Sequence, residues 1–325
     1  MSIFQQIFPP SPTFTEKDIP DQTGRVFIIT GGASGIGFEA VNLLYAQHAA
    51  VYIATRSVEK IKNAIETIKA QHPSSHGRLE SLIVDLADLR TIKPAVLDFQ
   101  QREPRLDVVV HNAGVMMPPR GSTTAQGHDL EMGTNCLGPF LLQHYLQDIM
   151  CRTAGTASPG SVRVVWLSSM LGVGTVPGGI EMEAATGGPV INTDPMKNYM
   201  QSKVGNVFLA HEVAQRLAAD GILSVSVNPG LMKTDLQRHM PPLAGRIMKT
   251  FFKPAKWGAY TELYAALSPD LTLEHSGGHI IPWGRYCSRS IPEHIANGLK
   301  GESEGGTGTS EKFWQWCEGV TEEYQ

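Results

Sequence analysis

The chain has 325 residues, of which 42% are hydrophobic and 18% charged, and its formal net charge is −4. A slightly acidic chain offers no basic surface for nucleic acid or for an anionic membrane, so we expect neither as a partner. No run approaches the roughly 18 consecutive apolar residues of a membrane span. The four cysteines are scattered without a C-x-x-C pair, and together these features predict a cytoplasmic protein without a bound metal.

Short apolar runs alternate with amphipathic helical patterns along most of the chain. The predicted strands cover, in chain order, residues 26–29, 50–55, 79–85, 106–111, 162–167, 223–227 and 278–282. The main helices predicted after the first glycine-rich turn cover residues 58–71, 87–101, 125–150 and 194–219. Strands that alternate with helices form parallel sheets with right-handed crossovers. We therefore predict an α/β fold with a single-domain, doubly wound (Rossmann-type) parallel sheet of about seven strands.

The composition divides the chain into three parts. They are an extended leader at 1–24, a cofactor-binding and catalytic domain at 25–285 with substrate loops at 170–197 and 231–256, and a tail at 286–325. The leader contains four prolines, which favour an extended strap over a helix.

The tail combines a flexible and an apolar stretch. Residues 301–310 are rich in Gly, Ser and Thr and predict a linker, and Phe313, Trp314 and Trp316 follow it. Three large aromatic side chains carry too much apolar surface for a free tail. We predict that this segment forms a helix that packs back on the domain near the pocket.

A glycine-rich turn joins the first strand to the first helix. Gly31, Gly32, Gly35 and Gly37 follow the strand at once, and apolar residues then recur at helical spacing. Glycines let the backbone approach a pyrophosphate closely, and a helix N-terminus presents unpaired N–H groups to it. The turn predicts a phosphate site, although a tight turn of any α/β protein would share its pattern.

Polar or small residues follow most of the predicted strands. They are 30–37 after the first strand, Arg56 after the second, Asp85 at the end of the third, 112–114 after the fourth, 168–169 after the fifth and 228–230 after the sixth. The carboxyl ends of parallel strands meet at one edge of the sheet, where doubly wound folds bind their ligands. This convergence is more specific than any single motif.

At this point the sequence resembles the short-chain dehydrogenase/reductase family over residues 24–285. The matching motifs are T-G-x-x-x-G-x-G at 30–37, N-A-G at 112–114, Asn135, Ser169, Y-x-x-x-K at 199–203, and P-G at 229–230 with Thr234. N-A-G-V-M-M-x-P at 112–119 is most similar to the retinol-dehydrogenase-like branch, and I-I-P-W-G-R at 280–285 to its fungal members. The chain departs from the family pattern at His111, where a second Asn is usual, and in the long gap between Ser169 and Tyr199.

The resemblance implies that Asn135, Ser169, Tyr199 and Lys203 are catalytic. Tyr199 and Lys203 lie four residues apart, on one face of the predicted helix. A neighbouring ammonium and an oxidised nicotinamide would lower the pKa of the phenol from about 10. Ser169 would bind the substrate oxygen, and Asn135 would hold a water that links Lys203 to solvent. A surface Tyr–Lys pair with an ordinary Ser and Asn is the alternative.

The resemblance also implies NADP(H) as the cofactor. Arg56 stands where NAD-preferring relatives usually place an acidic residue, and a guanidinium suits a 2′-phosphate. A solvated arginine at a helix start is the alternative. The residues expected to bind the cofactor are Gly31, Ser34, Gly35, Ile36, Gly37, Arg56, Asp85, Leu86, Asn112, Ala113, Gly114, Tyr199, Lys203, Pro229, Gly230 and Thr234.

Apolar side chains dominate the expected substrate loops. The candidates are Met170, Leu171, Val173, Pro177, Met196, Leu231, Met232, Leu236, Met240, Phe251 and Phe252. They favour a bulky apolar carbonyl or alcohol as the substrate, and the fungal resemblance implies a role in secondary metabolism. The leading hypothesis is an NADPH-dependent carbonyl reductase. The alternatives are a pocket recruited for imine reduction or cyclisation, and a non-catalytic regulator that senses NADPH.

The family's dimers imply self-association through the helices predicted at 125–150 and 194–219. The glycine-rich insertion at 172–189 could instead cover that face and leave a monomer.

Overall fold

A parallel sheet forms the centre of the protein, and its strands are short apolar runs. The computed structural model describes residues 6–233 and 252–325. The strands are β1 (Val26–Thr30), β2 (Ala50–Thr55), β3 (Arg78–Ile83), β4 (Val108–His111), β5 (Arg163–Leu167), β6 (Leu223–Val227), β7 (His279–Ile281) and β8 (Arg285–Tyr286). Their order in the sheet is β8-β7-β6-β5-β4-β1-β2-β3.

Seven of these eight strands are parallel, as predicted, and only β8 runs antiparallel, to β7. All residues of β1, β4, β5 and β6 are buried, because helices cover both faces of the sheet. The strand order reverses between β1 and β4, which opens a crevice at their carboxyl ends.

The helices form a layer on each side of the sheet. They are α1 (Gly35–Ala46), α2 (Val58–Gln71), α3 (Ile92–Arg102), α4 (Gly138–Ala154), α5 (Pro195–Arg216), α6 (Ala255–Leu267), α7 (Glu293–Leu299) and α8 (Thr309–Thr321). The helices α1, α2 and α6 contribute to the core on one side, and α3, α4, α5 and α8 to the core on the other. Within the described ranges no helix is both long and apolar enough to cross a bilayer.

The predicted start of the helix at 125–150 was wrong. A helical turn begins at Leu130, where the Asp129 carboxylate accepts hydrogen bonds from the amides of Glu131 and Met132. A π-helical stretch (Gly133–Leu137) then leads into α4. The helix predicted at 87–101 likewise starts later, at Ile92, after a 3₁₀ turn capped by Asp88.

The C-terminal helix α8 packs against α5. Phe313 is fully buried, with its ring 6.4 Å from that of Phe208 on α5. Trp314 lies 4.8 Å from the ring of Phe140 on α4. With α8 in place, α5 is buried at every position from Gln201 to Ala214 except the half-buried His211. The predicted linker at 301–310 contains a 3₁₀ turn and two hydrogen bonds to the end of α7.

The leader lies along α6. The Phe14 ring packs edge-on against Tyr264 at 5.8 Å, and Ile19 is also buried. Glu16 pairs with Lys256 and accepts a hydrogen bond from Tyr260. The Tyr260 and Lys256 donors lower the pKa of Glu16 to about 2. Apolar contacts and an ion pair therefore hold the strap on the domain.

Candidate active site

A cavity of about 560 Å³ opens at the carboxyl ends of the strands. It lies at the reversal of strand order, where the fold is expected to bind a ligand. The predicted site residues that line it are Gly31, Ser34, Gly35, Ile36, Arg56, Asp85, Leu86, Asn112, Ala113, Gly114, Ser169, Tyr199, Lys203, Pro229 and Gly230. Gly37 and Asn135 lie behind this wall, and Thr234 lies outside the described residues.

The turn between β1 and α1 is tight at its glycine positions. Gly31 and Gly35 have φ angles of 67° and 58°, which favour glycine. A Cβ on Gly37 would lie 2.5 Å from Asn112 Nδ2 and 2.8 Å from the carbonyl oxygen of Gly31. The glycines of the turn therefore expose backbone in front of a helix N-terminus, beside the Ser34 side chain, and this geometry fits a pyrophosphate.

Arg56 and Asp85 mark the outer end of the cavity. Their side chains form an exposed ion pair at 3.5 Å, with the Arg56 side chain 70% exposed. Asp85 also accepts a hydrogen bond from the amide of Ala87 at 3.0 Å. The neighbouring Ser57 hydroxyl caps α2 by accepting from the Lys60 amide, so it is already engaged. Among the described residues that line this end of the cavity, Arg56 is the positively charged one.

Ser169, Tyr199 and Lys203 meet at the inner end of the cavity. Ser169 follows β5, where its hydroxyl accepts from the Leu171 amide at 3.2 Å, and its side chain lies close enough to Tyr199 to lower the pKa of the phenol. Tyr199 and Lys203 lie one turn apart on α5, with Lys203 Nζ 5.8 Å from the centre of the Tyr199 ring. Lys203 Nζ donates to the carbonyl of Leu167 at 2.9 Å. The structure thus brings together the three side chains that the sequence singled out.

Burial dominates the electrostatics of this group. Tyr199 is 3% exposed and Lys203 2%. Burial raises the pKa of Tyr199, against a smaller lowering by the Ser169 side chain. Burial also lowers the pKa of Lys203, to about 8. Tyr199 is therefore a neutral phenol at neutral pH, and a lowered pKa in the presence of an oxidised nicotinamide stays a prediction.

The polar atoms of the Asn135 side chain form hydrogen bonds with other protein groups. Its Nδ2 donates to the Val115 carbonyl at 3.0 Å and to the Ser202 hydroxyl at 2.9 Å, and its Oδ1 accepts from the Val115 amide at 2.8 Å. A water held by Asn135 that links Lys203 to solvent stays a prediction.

His111, the departure from the family pattern, is a buried core residue. Its Nε2 lies 3.2 Å from Gln143 Oε1, and its ring stacks on Trp166 at 4.1 Å. Burial lowers its pKa to about 4, so it is neutral. The next residue, Asn112, donates to the carbonyl of Thr30 and ties β4 to β1.

The inner cavity wall is mostly apolar. Six candidates from the sequence line it: Met170, Leu171, Met196, Leu231, Met232 and Phe252. Val173 and Pro177 do not line it, and Leu236, Met240 and Phe251 lie outside the described residues. Four further residues line it that were not predicted from the sequence: Pro118, Pro119, Leu130 and Thr134. Their only sequence signal was their closeness to the N-A-G and Asn135 motifs.

Known proteins resemble this chain in sequence and in fold. Residues 25–242 match the family described as short chain dehydrogenase. The chain is 44% identical to a short-chain dehydrogenase/reductase from Phomopsis amygdali, over 98% of this chain and 96% of that one. It is 41% identical to short-chain dehydrogenase/reductase bet4 from Neocamarosporium betae, over 98% and 92%. An uncharacterized protein from Mycobacterium Paratuberculosis of known structure aligns with a TM-score of 0.67 and 25% identity, over 95% and 97%.

Proposed function

The chain belongs to the short-chain dehydrogenase/reductase family, and we propose that it is an NADPH-dependent reductase of a bulky apolar ketone or aldehyde. The observation that supports this most is that Ser169, Tyr199 and Lys203 together line the inner end of an apolar cavity. A neutral phenol there is a proton donor, which favours reduction of a carbonyl over oxidation of an alcohol at neutral pH. The same groups would catalyse the reverse reaction at higher pH.

Each residue of this group has a distinct part in the proposed reaction. The bound cofactor supplies the hydride. Ser169 holds the carbonyl oxygen of the substrate beside the Tyr199 hydroxyl. Tyr199 gives its proton to that oxygen as negative charge develops there. Lys203 places an ammonium next to Tyr199, which stabilises the phenolate left behind until it is protonated again.

The wall composition supports an apolar substrate. Among the described lining residues, the charged side chains are Arg56, Asp85 and Lys203. The first two lie at the cofactor end and the third beside Tyr199, so the remaining wall suits a hydrocarbon body with one polar group. We further propose a cytoplasmic enzyme of secondary metabolism within the retinol-dehydrogenase-like branch, as the fungal resemblance implies.

Turnover separates the proposal from its rivals. Purified protein, NADPH and a panel of bulky ketones should give loss of absorbance at the nicotinamide band, and product analysis should find the alcohol. A regulator would bind NADPH without consuming it. A pocket recruited for imine reduction or cyclisation would give a different product from its own substrate. The Tyr199–Ser169 pair disfavours the regulator, because cofactor binding alone needs no proton donor.

Arg56 should set a preference for NADPH over NADH. Arg56→Ala should weaken NADPH binding by about 1.5–3 kcal/mol, the range for hydrogen bonds to charged groups. We expect the lower end of that range because Arg56 is exposed. Binding of NADH should hardly change. Titration of cofactor fluorescence with both cofactors measures the effect.

Arg90 offers a matched control for this variant. It is also an exposed arginine paired with an aspartate, Asp88, but it does not line the cavity. Arg90→Ala should leave both cofactor affinities unchanged. Equal loss of NADPH and NADH binding in Arg56→Ala would remove Arg56 as the phosphate ligand.

The protein should be a monomer, because α8 and the insertion at 172–189 cover α5, one of the two helices that the family's dimers imply as an interface. No extended side of α5 remains open between Gln201 and Ala214. The insertion also packs on α5: a Cβ on Gly179 would lie 3.0 Å from the Phe208 ring, and the Glu181 amide donates to Gln201 Oε1 at 2.9 Å. Light scattering at micromolar concentration should give one species near 35.3 kDa. A species of about twice that mass would contradict the predicted monomer and support a dimer.

A further inference from the structure

The part of the cavity wall that follows Asn112 is fixed by hydrogen bonds from its backbone to two side chains of residues 130–137. Asn135 binds both the amide and the carbonyl of Val115. Glu131, four residues earlier, accepts a hydrogen bond from the amide of Met117 at 2.7 Å. Residues four apart lie on one helix face, so one face of this short helical stretch binds alternate residues of the wall segment.

The segment fixed in this way lines the cavity. Its residues Val115, Met116, Pro118 and Pro119 all contribute to the lining. Met117 has a φ angle of 50°, a conformation that is strained for a methionine. A strained backbone persists only where its surroundings hold it, and the bond from the Met117 amide to Glu131 is such a constraint.

Glu131 is also a buried acid, and its turn, Leu130–Met132, packs against the catalytic helix α5. Its side chain is 1% exposed. Burial raises its pKa to about 8, and the neighbouring Asp129 and Asp194 act in the same direction. Lys203 opposes them, and Glu131 in turn raises the pKa values of Tyr199 and Lys203.

We propose that Glu131 is a positioning residue of this active site: it fixes the wall at 115–119, and its negative charge, when present, opposes formation of the Tyr199 phenolate. The proposal rests on the proposed carbonyl-reductase function only for its catalytic consequence. A glutamine at this position would keep the acceptor for the Met117 amide and lose the charge. An alanine would lose both.

The wall function is tested by amide hydrogen exchange at Met117, which needs no turnover. Exchange should be unchanged in Glu131→Gln and at least about tenfold faster in Glu131→Ala, because the amide then lacks its acceptor. Equal exchange in Glu131→Ala and the wild type would overturn this half of the proposal. Under turnover, KM for the ketone should rise in Glu131→Ala and stay near the wild-type value in Glu131→Gln.

The charge function is tested by NMR titration of tyrosine labelled with ¹³C at Cζ, in the NADP⁺-saturated protein. The Tyr199 signal is assigned by its loss in Tyr199→Phe. Removing the charge should lower the apparent pKa of Tyr199 in Glu131→Gln by on the order of half a unit to one unit. The pH at which alcohol oxidation rises should fall by the same amount. An unchanged Tyr199 pKa in Glu131→Gln would overturn the charge part of the proposal.

Glu103→Gln is the matched control for the titration. Glu103 is likewise buried, 5% exposed, and pairs with Tyr52 and Arg78 away from the cavity. The Glu103→Gln variant should leave the apparent pKa of Tyr199 unchanged. An equal shift of that pKa in Glu103→Gln would overturn the assignment to Glu131. If no ketone is reduced by any variant, the proposed function fails, and the exchange and titration results still decide the role of Glu131.

Discussion

Tyr199→Phe should lower kcat for ketone reduction by about 10²–10⁴-fold, the usual contribution of a positioned general acid. The substitution removes one oxygen and keeps the buried ring, so folding should survive. Without the phenol, charge that develops on the substrate oxygen has only the Ser169 hydroxyl and water to stabilise it. NADPH affinity should stay within a few-fold, because the lost group acts in the transition state. Steady-state kinetics and cofactor titration measure the two effects.

Tyr145→Phe is the control for this variant. Its hydroxyl donates to the carbonyl of Tyr324, on the side of α4 that faces the C-terminus. Loss of that hydroxyl should leave kcat unchanged. A Tyr199→Phe enzyme that reduces its ketone at the wild-type rate would falsify the acid–base assignment, and the recruited-pocket alternative would then be preferred.

Phe313→Ala should lower the free energy of unfolding by about 3–5 kcal/mol, the range for truncation of a buried phenylalanine. Phe313 is the fully buried contact of α8 with α5, and a Cβ on Gly205 would lie only 3.0 Å from its ring. Urea denaturation followed by circular dichroism measures the loss.

Gln315→Ala is the matched control on the same helix. Gln315 is exposed, so its truncation should change the unfolding free energy by less than about 0.5 kcal/mol. Two variants of equal stability would mean that α8 contributes little to the fold. The predicted packing of the tail would then have no energetic importance.

The sequence predicted the sheet well because buried parallel strands are continuous apolar runs. Residues 50–55 and 223–227 have the predicted bounds in β2 and β6. The helix start near 125 was wrong because apolar spacing continues beyond the point where the Asp129 cap sets the boundary. Local hydrogen bonds, not periodicity, decide such ends.

In the candidate site, too, residues in short motifs could be predicted, whereas residues that depend on tertiary contacts could not. Ser169, Tyr199 and Lys203 could be predicted because they stand in short motifs at strand ends or at helical spacing. Glu131 could not, since its importance depends on where the chain at Met117 passes in space. The fit of α8 to α5 was equally hidden. The sequence indicated that the aromatic tail must be buried, but the surface that receives it is set by the tertiary fold.

The position of α8 has a consequence for how the protein is made. The ribosome synthesises the sheet and α5 before α8 exists, and domains usually fold as units. A nascent chain that has reached β8 already contains Tyr199 and Lys203, yet the apolar side of α5 is still uncovered. We expect the catalytic helix to become fully packed only once residues 309–321 have emerged from the ribosome. A stop codon shortly before Thr309 would thus yield a polypeptide with every proposed catalytic residue and an open, aggregation-prone flank.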